Sequence, residues 1–183
     1  VAEEDVIDLL TAQHGRIRDM FDEVEQAPPE KLAQAFDRLT RMLSVHETAE
    51  EEIVHPYARR RLDNGHGVVG DRLEEESRAK RMLVDLHRKG VDDPGFWDGL
   101  GRLRTAVTAH ARSEERYEFA RLRAGTSVLE RRAMAAAVRA AEACAPALPH
   151  PGAESAARNL LLGTPLALMD RAREAITKAL GKR

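Results

Sequence analysis

Two His-x-x-x-Glu pairs, His46–Glu50 and His110–Glu114, recur at one separation: 64 positions divide the histidines and 64 divide the glutamates. Residues four apart on an α-helix are offset by only about 40° around the axis and lie one turn apart. Each pair therefore aims an imidazole and a carboxylate the same way, and each is followed by a second glutamate, Glu51 and Glu115. His14 stands 32 positions before His46, and Glu76 stands 34 before His110. The chain thus reads as two helical hairpins, each with one potential ligand on its first helix and a His/Glu pair on its second. Bringing the hairpins together sets three histidines and three carboxylates at one depth of an all-α bundle.

The punctuation agrees with this division. A first helix is expected from about Glu3 to Gln26, stopped by Pro28 and Pro29. Pro29 suits the first turn of a second helix, which should reach His55 before Pro56. Asp63, Asn64, Gly65 and Gly67 make the next break, and a third helix should follow to Lys89, with Gly90 as its C′ residue. Asp92-Asp93-Pro94 should open a fourth, running towards Arg123 and ended by Gly125. Four helices of this length joined by short loops pack up-down-up-down.

Residues 1–125 are accordingly expected to form the bundle and 126–183 a C-terminal helical extension. The extension reads as an Ala-rich helix through Cys144, a turn at Pro146–Gly152 and two shorter helices split at Gly163-Thr164-Pro165. Its apolar run from Leu160 to Met169 should pack on the bundle or on a second subunit, which would make a homodimer.

Composition excludes several alternatives. Ala, Leu, Glu and Arg abound, aromatics are 4 %, and β-branched runs are nearly absent. Lys plus Arg total 29 against 31 for Asp plus Glu, so no basic field invites nucleic acid or an anionic membrane. Cys144 stands alone, which rules out an intramolecular disulfide and a cysteine-ligated zinc or iron–sulfur site. With no apolar run near 18 residues and no signal-peptide pattern, a cytoplasmic protein is expected.

Two carboxylates from facing helices can bridge two metals, with histidines filling terminal positions. Mixed nitrogen and oxygen donors disfavour magnesium and calcium, and six ligands are too many for one tetrahedral zinc. A pair of iron ions fits best, with manganese as the alternative. Apolar neighbours support inward pointing: Leu10, Ile17 and Phe21 beside His14, and Met42, Leu43 and Ile53 beside His46 and Glu50.

His14, His46-xxx-Glu50-Glu51 with Pro56 ten residues after the histidine, and His110-xxx-Glu114-Glu115 resemble the HHE pattern of hemerythrin-like proteins over about residues 4–123. The tail resembles extensions on some actinobacterial members. The resemblance implies a four-helix bundle with an oxo- or hydroxo-bridged di-iron centre held by His14, His46, Glu50, Glu76, His110 and Glu114. It also implies a histidine on the third helix, where lining up Lys80 places Glu76, with Glu75 as its rival. Tyr117, seven residues after His110 and about −20° from it, is expected to ligate iron, to hydrogen-bond a bound oxygen species, or to pack in the core. His55 lies about 180° from His46 on an ideal helix and is left out of the site, as are His66, His87 and His150. The expected partners are hydrogen peroxide, O₂ or nitric oxide, with catalase-like turnover as one reading and an oxygen, redox or iron sensor as the other. A helical interaction protein without metal is the third.

Overall fold

Asp5 starts the first helix. Its carboxylate accepts from the amides of Ile7 at 2.9 Å and Asp8 at 3.3 Å, and the Asp8 side chain accepts from the Asp5 amide in return. Three otherwise unpaired donors are satisfied by this reciprocal cap. The computed structural model describes residues 4–61 and 65–144. Within them the chain forms α1 (Val6–Glu25), α2 (Pro29–Ala49), α3 (His55–Arg61), α4 (Gly65–Lys89), α5 (Phe96–Ser113), α6 (Ala120–Gly125) and α7 (Val128–Cys144). Among the described residues there is no strand, and no helix is long and apolar enough to cross a membrane.

Several expected boundaries hold. Pro29 sits in the first turn of α2, and Gly90 closes α4 with φ +81°, a left-handed conformation in which glycine avoids the Cβ clash. Others move. Asp93-Pro94 forms a turn rather than a helix start: Asp93 accepts from the Gly95 and Phe96 amides, and α5 begins at Phe96. Pro56 does not end the second long helix, which runs on through α3 to Arg61. The reason lies just upstream, where Glu50–Val54 is a π-helical segment and the His55 amide bonds back to the Glu50 carbonyl. A widened turn re-routes the hydrogen bonds that a proline one residue later would otherwise break. A matching π segment, Glu114–Phe119, joins α5 to α6. The turn and helices expected beyond Cys144 lie outside the described residues.

The helices pair as two hairpins, α1 with α2 and α4 with α5, joined by packing of α1 on α5 and of α3 on α4. Where α4 meets α5, a Cβ added at Gly99 would lie 2.6 Å from the Leu86 side chain, so glycine permits the close approach. α7 lies against α1, α2 and the first π segment. Buried Arg131 fixes it there, donating to Asp5 at 2.7 Å and to the Thr126 carbonyl at 2.7 Å.

Among the described residues the buried apolar side chains form two large clusters and a small one, Ala58 with Val69. One large cluster includes Ile17, Phe21, Leu39, Leu43, Leu83, Leu103 and Val107. The other includes Leu10, Ile53, Val54, Phe119, Leu122, Met134 and Val138, the last two from α7. His14 falls between Leu10 and Ile17 on α1, and His46 and Glu50 fall between Leu43 and Ile53. His110 and Glu114 likewise fall between Val107 and Phe119. A polar layer therefore crosses the bundle with apolar packing above and below it.

Candidate metal centre

His14, His46, Glu50, Glu76, His110 and Glu114 are all buried in this layer. Their donor atoms form two groups, His14–His46–Glu50–Glu114 and Glu50–Glu76–His110–Glu114, each with its donors within 4.8 Å of one another. Glu50 and Glu114 belong to both groups, which is the arrangement two bridging carboxylates would take. His14 Nε2 lies 3.3 Å from Glu114 Oε2 and 4.0 Å from Glu50 Oε1. His46 Nε2 lies 3.4 Å from Glu50 Oε2, and His110 Nε2 lies 3.4 Å from Glu114 Oε2 and 3.7 Å from Glu76 Oε1.

The outer atoms show why the imidazoles are aimed. His14 Nδ1 donates to Glu115 at 2.9 Å, His46 Nδ1 to Gln13 Oε1 at 2.8 Å, and His110 Nδ1 to Glu75 at 3.1 Å. Those oxygens can only accept, so each ring carries its proton outside and turns Nε2 inward. Partners of this kind fix ring orientation at metal sites. Glu75, the expected rival of Glu76, holds His110 from behind and is itself bound to Arg72 at 2.9 Å.

Two placements differ from expectation, and the π segments explain both. A π turn admits one extra residue, so side chains beyond it lag by about 100° relative to a continuous α-helix. Tyr117 then stands about 120° from His110 rather than in line with it. It is 49 % exposed, with Arg116 lying over its ring at 5.4 Å, and does not face the cluster. His55 moves the opposite way. It is 2 % exposed, donates from Nδ1 to Glu118 at 3.0 Å and meets Glu76 through Nε2 at 2.6 Å. With Glu114 and Glu118 it forms a third group of donors within 4.8 Å. No periodic signal marked it, because a π turn leaves none in the sequence; its counterpart 64 positions on, Phe119, is another buried ring. His87 closes α4 in its last turn, and His150 lies outside the described residues.

The electrostatics point to a cation. Glu50 is 0 % exposed, and neither of its carboxylate oxygens has a hydrogen-bond partner. The same is true of both Glu114 oxygens, and one oxygen each of Glu76 and Glu118, with His14 Nε2 and His110 Nε2, is also without a partner. Each such orphan costs about 1–3 kcal/mol, and they converge on one volume. Burial, then the charges of Glu114 and Glu76, push the Glu50 carboxyl well above its usual range. Burial would raise Glu114 too, but His110 and His14 pull it down to about 2. Burial and the neighbouring His14 depress His46 to about 3. The shared carboxylates therefore cannot both stay ionised without added positive charge. Imidazole nitrogens and carboxylate oxygens that are buried, unpartnered and facing one another fit a pair of divalent or trivalent cations.

A cavity of about 20 Å³, room for one water-sized molecule, adjoins the cluster and is lined by His14, His46 and His110 with Ile17, Phe21 and Leu43. Glu47 also lines it, and burial pushes its carboxyl up to about 8, against the pull of Lys80. The layer is tied to α7 as well. Gln13, which accepts from His46, donates its amide to Glu142.

Comparison with known proteins agrees with this geometry. A protein from Nostoc sp. (strain PCC 7120 / SAG 25.82 / UTEX 2576), named DNA nickase, is 31% identical over 117 residues, 63% of this chain and 33% of that protein. The chain thus spans about a third of that relative's length. No solved structure matches. The family described as hemerythrin HHE cation binding domain matches residues 5–122. That span takes in α1, α2, α4, α5 and the two π segments, which together supply the cluster, and the chain belongs to the hemerythrin HHE cation-binding domain family.

Proposed function

We propose that this chain is a non-haem di-iron protein that reacts with small oxygen species, foremost by disproportionating hydrogen peroxide, with nitric oxide as the further substrate. The observation that carries this reading is the pair of donor groups sharing Glu50 and Glu114 beside a cavity with room for one small molecule. Bound iron would supply redox equivalents for two peroxides, one oxidised to O₂ and the other reduced to two waters (2 H₂O₂ → O₂ + 2 H₂O). The protein's part is positioning and exclusion. Ile17, Phe21 and Leu43 keep the cavity small and apolar, and Glu47 offers a carboxyl that can hydrogen-bond a bound peroxide. The buried carboxylates Glu50, Glu76, Glu114 and Glu118, once deprotonated on a metal, favour the higher charge of ferric ions. That suits turnover better than reversible O₂ carriage.

Protein expressed in iron-supplemented medium is expected to hold about two irons per chain and to release one O₂ for every two peroxides consumed, read with an oxygen electrode. Two irons per chain without O₂ release, and without loss of peroxide or nitric oxide, would refute the enzyme.

A second reading, an oxygen, redox or iron sensor, is favoured by one specific contact. Gln13 joins His46 of the cluster to Glu142 of α7, so a change at the metal position would reach the helix outside the bundle. Metal-dependent protection of α7 in hydrogen exchange, without peroxide turnover, would select it.

A further inference from the structure

We propose that His55 is a metal ligand, the second imidazole of the position built by Glu76 and His110. The inference rests on the di-metal reading above and adds a donor to it. The first position has two imidazoles, His14 and His46, with the shared carboxylates Glu50 and Glu114. The second has His110 alone beside Glu76 and the same carboxylates. His55 stands against that second set: its Nε2 is 2.6 Å from Glu76 Oε1, the same oxygen that lies 3.7 Å from His110 Nε2. Imidazole and carboxylate donors bound to one ion at about 2.0–2.2 Å lie about 3 Å apart when adjacent. The spacing of His55 and Glu76 is close to what one shared ion requires.

The way His55 is held supports the same conclusion. All four histidines of the layer donate Nδ1–H to an acceptor behind them: His14 to Glu115, His46 to Gln13, His110 to Glu75 and His55 to Glu118. Each leaves Nε2 facing the carboxylates. Glu118, buried with one oxygen otherwise unpartnered, is to His55 what Glu75 is to His110. The two halves of the internal repeat differ at this position. Its counterpart 64 residues on is Phe119, which stacks on His14 with ring centroids 5.7 Å apart and planes 6° from parallel. One half of the molecule places an apolar wall behind its metal position and the other places a donor.

The test uses the full chain, first loaded with Co²⁺. Each ligating histidine then shows one exchangeable Nδ1–H proton resonance shifted far outside the diamagnetic range. Four such signals are expected, from His14, His46, His55 and His110, and three in His55→Phe, which installs the residue of the other half-repeat. In the iron form, His55→Phe is expected to lose its second ion to a chelator at least tenfold faster than wild type, with its far-UV circular dichroism unchanged. Three signals in the wild type, or a second ion held equally well by both proteins, would overturn the assignment. His55→Gln repeats the chelator challenge should the phenylalanine not fold, with the same outcomes. Should wild type bind neither metal, the di-metal reading itself fails and the ligand role falls with it. A wild type that holds two ions regardless of His55 sinks this inference alone.

Discussion

Replacing Glu50 by methionine should stabilise the metal-free protein and weaken the metal-loaded one. Glu50 is fully buried with both oxygens unpartnered, and its nearest imidazole nitrogens stand at 3.4 Å and 4.0 Å without a hydrogen bond. An unsatisfied buried acceptor costs about 1–3 kcal/mol, and an apolar side chain of similar volume removes that demand. Methionine fills the carboxylate's space without a polar atom of comparable demand. The loss of the two weak imidazole approaches offsets a fraction, so a net gain of about 1–3 kcal/mol is expected. In a domain of this size that is a rise in Tm of about 3–10 °C. With iron the sign reverses, because a ligand that binds only the folded state stabilises it the more its free concentration exceeds its Kd, and Glu50→Met removes a donor from both positions. The assay is thermal unfolding by circular dichroism, in chelator and again with excess ferrous iron under anaerobic conditions. Should the metal-free variant melt several degrees below wild type, Glu50 would be satisfied in the fold, and the case for an electrostatically incomplete site would collapse.

Three further outcomes follow from the same geometry. Tyr117→Phe should leave iron content and the optical spectrum unchanged, since the ring is half exposed and faces away from the cluster; a lost absorption band would show that it ligates. Asp5→Ala removes the α1 cap and leaves buried Arg131 without its carboxylate, at a cost of about 3–5 kcal/mol, and limited proteolysis should then cut α7 first. The metal-free protein should lose stability as pH rises from 6.5 to 8. Burial drives Glu47 up to about 8, and burial of His55 is outweighed by bonds to Glu118 and Glu76 that push it up to about 10. Both groups hold protons in the folded state that the unfolded chain has released, so unfolding is favoured as protons become scarce. A urea midpoint higher at pH 8 than at pH 6.5, in chelator, would contradict that sign.

Much of the site is local in origin, and so was legible in the chain itself. Four-residue spacing puts His46 with Glu50 and His110 with Glu114 whatever the rest of the protein does, because the helix repeat is set by the backbone. The 64-residue repeat then places the second hairpin opposite the first, and Pro29 and Gly90 mark turns through their own dihedral limits. What the sequence could not show was where α-helix gives way to π-helix. A change from i→i+4 to i→i+5 bonding leaves no periodic trace, and it is decided by which side chains must be buried together. In Glu50–Val54 and Glu114–Phe119 the shift turns His55 and Glu118 inward and Tyr117 outward. Extrapolating the α-helical angle across those segments therefore leaves His55 out and brings Tyr117 in. Helix phase up to Glu50 and Glu114 was written in the amino-acid order; beyond them it was set by tertiary packing, because only the assembled polar layer makes a widened turn worth its strain.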